Sequence, residues 1–223
     1  MRCLLLSLFL SLTLGAYAQE TPRMMVSGTS SISVAPDRLV VILGVESRDA
    51  DVKKAVAENA QKMKAVKEAL VDLGLSGKEI STKEYLIAPT FAPIKGEEEP
   101  RLTGYRVKHT FEIQTDKLDL AGSLVDRIMQ VGGNLLESLQ FTLADPESAK
   151  HDALSKAYAQ AESYAQTLAK LSGVKLAMPL EISLSQPYLN ARAYKMEAAA
   201  TSISLKDVEI SASVSVSYRI ESN

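Results

Sequence analysis

The 223-residue chain is predicted to be an α+β protein, with mixed or mainly antiparallel sheets and three packed helices in the order ββα-ββα-βα-ββ. Three observations carry that prediction. Near the end, Val208, Ile210, Ala212, Val214, Val216, Tyr218 and Ile220 alternate with Glu209, Ser211, Ser213, Ser215, Ser217, Arg219 and Glu221, the period of a long strand with one buried face. Helical periodicity takes over in three separate stretches, each followed by glycine. No GxGxxG or GxxxxGKS/T loop follows a strand, which separates the layout from repeated βαβ units and leaves nucleotide binding without support.

The elements follow in chain order. Met1-Arg2, the apolar run Cys3 to Leu14 and the small residues of Ala16-Tyr17-Ala18 read as a signal peptide over 1–18, cleaved after Ala18. That apolar run falls short of the ~20 residues that span a bilayer as a helix, and no later segment is longer. The mature chain, 19–223, is therefore expected to be soluble, without a transmembrane segment, and periplasmic. Its length suits one sizeable core or two small ones.

Met24 to Val34 is a strand candidate, and Leu39 to Val45 is apolar at nearly every position, the pattern of a strand covered on both faces. From Asp49 to Leu73, the residues Val52, Val56, Met63, Val66, Leu70 and Leu73 form one helical stripe ending at Gly74 as a left-handed cap. Ile80 to Ile87 and the alternating Tyr105, Val107, Phe111 and Ile113 are the next strands. A second helix, Leu118 to Val131, turns Ala121, Leu124, Val125 and Ile128 inward, and Leu135 to Leu143 returns as a strand. The third helix opens at Asp145-Pro146-Glu147, with Asp145 as cap, and runs to Ser172-Gly173 through Leu154, Ala157, Ala161, Tyr164, Leu168 and Leu171. Leu176, Met178, Leu180, Ile182 and Leu184 alternate as one more strand. Ala92 to Arg101 and Gln186 to Ser204 read as irregular loops of a length often tied to function or assembly.

Composition narrows the chemistry. Removing Arg2 with the leader leaves 24 basic and 27 acidic side chains, a net charge of −3, so no field favours nucleic acid as a partner. The single cysteine, Cys3, leaves with the leader, which excludes disulfides, thiol catalysis and cysteine metal sites in the mature chain. Of two histidines, His109 lies on the apolar side of its strand and reads as packed, while His151 faces solvent early in its helix. They form no i, i+4 ligand pair, and no HExxH or GxSxG is present. The alternating serines of the last strand read as its wet face, and Glu97-Glu98 as loop carboxylates. Met63, Met129 and Met178 read as core fillers, whereas Met24-Met25 is an oxidisable pair near the new terminus. No catalytic, cofactor-binding or metal residue is assigned, and the chain is expected not to be an enzyme.

A resemblance covers nearly the whole mature chain. It is carried by Val26-Ser27-Gly28 with Val34-Ala35-Pro36-Asp37, then Leu73-Gly74-Leu75 with Glu79-Ile80-Ser81-Thr82, and Ala88-Pro89. It continues through Gly104-Tyr105-Arg106-Val107, Phe141 to Glu147, the alanine-rich helix ending Leu171-Ser172-Gly173-Val174, and Val208 to Val214. In these the chain resembles the SIMPL-domain family of bacterial envelope proteins, which includes periplasmic oxidative-stress defence proteins and immunodominant antigens. The resemblance implies an α+β fold, a link to oxidative-stress defence, and in some relatives ring assembly; it brings no agreed catalytic residues. The expected function is that of a non-enzymatic SIMPL-domain envelope protein that self-associates as a homo-oligomer. The alternative is a periplasmic small-ligand or cell-wall binding module using Tyr85, Phe91, Tyr188 and Tyr194 as contacts.

Overall fold

A computed structural model describes residues 22–93, 99–190 and 206–222. The elements are β1 Arg23–Val34, β2 Arg38–Asp49, α1 Val52–Asp72, β3 Ile80–Ala92, β4 Arg101–Thr115, α2 Ala121–Gln130, β5 Leu135–Thr142, α3 Pro146–Ser172, β6 Val174–Asn190 and β7 Val208–Ser222. A single 3-10 turn, Leu118–Leu120, leads into α2. The strands form two antiparallel sheets, ordered β1-β7-β6 and β3-β4-β2-β5, so the class is α+β and the element order is the one read from the sequence. The expected signal peptide, the pair Glu97-Glu98, Tyr194 and Ala198 to Ala200 lie outside the described residues.

In the four-stranded sheet, Leu39, Val41, Leu43 and Val45 of β2 point into one core with Phe111, Ile113, Leu139 and Phe141. Against that face pack Met63, Val66 and Leu70 of α1 and Leu124, Val125 and Ile128 of α2. Burial of this area, at roughly 25 cal/mol per Å², is what holds the two helices on the sheet. The other face of β2 corrects the expectation of a strand covered twice. Val40 and Ile42 are only half-buried, shielded by the polar cross-strand neighbours Gln114, Gln140, Glu112 and Ser138 rather than by a second helix layer.

The three-stranded sheet builds a separate core. Val208, Ile210, Ala212, Val214, Val216 and Tyr218 of β7 face α3, confirming the alternation of the last strand. The helix meets them with a ridge of alanines, Ala149, Ala153, Ala157, Ala161, Ala165 and Ala169, spaced four apart. This corrects the predicted inner stripe: Tyr164, Leu168 and Leu171 are exposed and Leu154 is half-buried. Close approach is the reason. A Cβ at Gly28 of β1 would strike the backbone of Ala157 and come within 2.6 Å of the Ala161 nitrogen. Ser30 Oγ donates to the Ala153 carbonyl at 2.5 Å, and Gln160 accepts from the Thr29 amide at 2.7 Å, tying α3 to β1. Asp145 caps the helix by accepting from the Glu147 amide at 3.0 Å, Pro146 occupies its first turn, and Gly173 ends it with φ 68°.

Two chain crossings, 35–37 and 143–145, join these units. There the Asp37 amide donates to the Thr142 carbonyl at 3.1 Å, and the Asp37 carboxylate accepts from the Ala144 amide at 2.7 Å. One side chain therefore ties both crossings together.

Candidate functional site

The potentially reactive side chains are dispersed. His109 projects from β4 on the helix side of the sheet, and its ring is held edge-on by Tyr85 at 5.0 Å and Phe111 at 5.3 Å. It is packed as expected, but by aromatic contacts rather than a hydrogen bond; partial burial lowers its pKa below the ordinary histidine value. His151 is exposed in the first turns of α3. Among the described residues no three of His, Cys, Asp and Glu come together as a metal site. Asp116, Asp119 and Asp126 are exposed.

Many of the charged side chains are paired in local networks. On the open face of the four-stranded sheet, Lys108 lies between Glu137 at 2.5 Å and Glu84 at 2.6 Å, which together raise its pKa. Beside it Lys83 pairs with Glu112 at 2.6 Å, and Glu46 takes Arg48 at 2.6 Å and Arg106 at 3.9 Å. The four acids and four bases named here balance in charge. On the outer face of the other sheet the register aligns hydroxyls in rows, Ser27 with Ser215 and Ser183, and Thr29 with Ser213 and Ser185. Ser27 and Ser215 share a bond of 2.9 Å, and Ser31 donates to Glu209 at 2.6 Å, so Ser211, Ser213 and Ser215 lie on a partly exposed polar face as expected, whereas Ser217 is buried, which corrects the reading of that position.

Asn59 is among the buried polar residues that sequence reasoning missed. Asn59 of α1, fully buried, donates from Nδ2 to the carbonyls of Val45 at 3.0 Å and Val107 at 3.2 Å, while its Oδ1 has no partner. Its position on the inner stripe between Val56 and Met63 was a usable signal. Tyr218 is buried under α3, and that burial, with the neighbouring Tyr158 hydroxyl, pushes its pKa up to about 12.

What the surface does present is apolar area along two edge strands. On the β3–β4 hairpin, Tyr85, Ile87, Phe91 and Leu102 are exposed, Tyr85 by 52% and Phe91 by 57%. The register sets Tyr85 opposite His109 and Ile87 opposite the buried Val107, so this strip lies on the helix side, beyond the reach of α1. On β6, Ile182 and Leu184 stand opposite Val216 and Val214, again on the helix side, yet they are 55% and 51% exposed. The expectation that β6 buries its apolar face is corrected. α3 lies mainly over β1 and β7, and β6 slips register three times, so its apolar residues project past the helix. Met129 and Met178 are likewise exposed rather than core, leaving Met63 as the buried one.

The stretches that carry the resemblance prove to be joints of this fold: Gly28 under α3, Asp37 at the crossing, and Glu79 at the start of β3. Residues 24–218 match the family described as "SIMPL: Protein of unknown function (DUF541)", and the chain belongs to that family. Within it, the chain is similar to the 26 kDa periplasmic immunogenic protein of Brucella melitensis biotype 1, at 28% identity over 78% of this chain and 74% of that protein. The protein of the same name from Brucella abortus strain S19 matches to the same extent. An uncharacterized protein YggE of Edwardsiella ictaluri is 27% identical over 80% of this chain and 76% of its own.

Proposed function

We propose that this chain is exported to the periplasm, where it self-associates and takes part, without a catalytic centre, in defence of the envelope against oxidative stress. Export is supported by the leader-like residues 1–18 and by relatives named as periplasmic immunogenic proteins. The observation that carries self-association is the concentration of exposed apolar side chains on β3–β4 and β6, since contiguous apolar surface of this kind marks an interaction site. The stress role rests on the family resemblance. It gains support from the Met25 and Met178 thioethers, 64% and 74% exposed, each able to take one oxygen atom from hydrogen peroxide and yield sulfoxide and water. Peroxide survival of a strain lacking the gene, with and without its restoration, tests this role. Lost survival that the gene rescues is expected; unchanged survival removes the stress reading.

One observation favours a second reading, a wall or small-ligand binding module: Tyr85, Phe91 and Tyr188 are all more than half exposed. A rise in melting temperature with soluble cell-wall fragments, lost in Tyr188→Ala, would establish it; an unchanged melting temperature would remove it.

A further inference from the structure

The outer face of the β1-β7-β6 sheet carries a pattern that self-association leaves unused. Ser31, Ser211 and Tyr188 stand in register as a third row beside the two hydroxyl rows described above, so the face presents three rows of three hydroxyl side chains. The rows lie about 6.8 Å apart along the strands, and their members about 4.8 Å apart across them. α3 covers the opposite face, and the members of these rows on β1 and β6 are exposed. Ser27 bonds to Ser215 and Ser31 to Glu209, but among the described residues the hydroxyls of Thr29, Ser213, Ser183 and Ser185 bond to no protein group. Ser217 extends the β7 column by one row. Its hydroxyl is buried without a partner among the described residues, between the exposed side chains of Met25 and Glu181, which can swing aside to admit one.

Resting on the proposed export and on the second reading above, we infer that this face binds an uncharged glycan strand, an extended chain of β-linked amino sugars of the kind that builds the cell wall. A hydroxyl both donates and accepts, so a row of serines meets a sugar's own hydroxyls and amides whichever way each is turned. A repeating polymer finds the same contact at every row. The three rows hold no charged side chain, which offers a polyanion nothing and suits an uncharged chain. Glu181 and Glu209 flank the rows at opposite ends, where a carboxylate can accept from two neighbouring hydroxyls. Tyr188, 59% exposed, offers its ring to the flat apolar side of a sugar, whereas Tyr85 and Phe91 lie on the other sheet and take no part. A protein partner, a second copy included, fits less well, because serine is depleted at protein interfaces and the rows contain no apolar centre to bury.

Equilibrium dialysis of the mature chain against labelled chitohexaose, an uncharged oligomer of a wall amino sugar, tests this. Two variants accompany it: the double change Thr29→Val with Ser185→Val, which removes two free hydroxyls and keeps residues that favour a strand, and Tyr188→Ala, with thermal melts checking that both fold. Wild type is expected to bind chitohexaose and not heparin, a polyanion, and the double variant to bind chitohexaose about tenfold to a hundredfold more weakly. A double variant that binds like wild type, with binding lost only in Tyr188→Ala, overturns the hydroxyl face and leaves the second reading standing. So does a wild type that ignores chitohexaose yet melts higher with soluble cell-wall fragments. Heparin bound as well as chitohexaose overturns the choice of an uncharged strand. A wild type that ignores chitohexaose, together with a double variant that loses assembly in sedimentation velocity, assigns the face to a second copy and overturns the inference. No response to chitohexaose or to wall fragments overturns both readings.

Discussion

Glu79 shows how one carboxylate can hold three segments in place. It accepts from Thr115 Oγ1 at 2.6 Å and from the Ser76 amide and hydroxyl at 2.7 and 2.8 Å, and these bonds lower its pKa to about 2. The folded state thus prefers the ionised form more than the unfolded chain does. The stability this contributes is present above pH ~4.5 and is lost as pH falls toward 2. Glu79→Gln is expected to cost about 1 kcal/mol at pH 7, discounted for its partial exposure, with the difference from wild type shrinking toward pH 2–3 in urea titrations. His109 acts with the same sign by a different cause. Burial disfavours its imidazolium, so stability is retained above pH ~6.5 and falls as the unfolded state takes up the proton below it. His109→Phe is expected to flatten the fall in urea midpoint between pH 7 and 5. The environment of His109 was legible in its alternating strand, because Val107 and Phe111 are its same-face neighbours. The role of Glu79 was not, because Thr115 reaches it only through the β3–β4 pairing.

α3 illustrates which part of an element sequence pattern can settle. Its ends were readable: Asp145 and Pro146 start it and Gly173 stops it for local reasons of hydrogen bonding and backbone conformation. Its buried face was not, because Leu154, Tyr164, Leu168 and Leu171 are more apolar than the alanines that prevail. Gly28 and the short distance to β1 decide the matter, since a larger residue on the ridge would lift the helix and break the Gln160 and Ser30 bonds. Ala157→Leu is expected to cost about 3 kcal/mol by overpacking, measured by chemical denaturation. Leu168→Ala, on the exposed flank, is expected to change stability by less than about 0.5 kcal/mol. β6 repeats the lesson: its alternation predicts a strand, while the extent of α3 determines that its apolar face stays open.

The molecule has two cores joined through the pair of crossings that Asp37 ties together. Asp37→Ala is expected to remove about 1 kcal/mol and to split a single calorimetric transition in two, one for each core; Asp37→Asn, which keeps an acceptor, is expected to preserve one transition. Taken alone, the sequence determined the class, the element order, the caps and the amphipathic period of the last strand. These depend on residues close together in the chain, whose dihedral preferences and face alternation need no distant partner. The tertiary structure alone decided which apolar residues are covered, which polar ones are buried and where two separate cores meet. Burial is a property of what packs above a residue, and here that covering element stands anywhere from 14 to more than 100 positions away: Asn59 from Val45, Gln160 from Thr29, Asp37 from Ala144. The two open strips arise in the same way, from helices that end their coverage one strand before the sheet does.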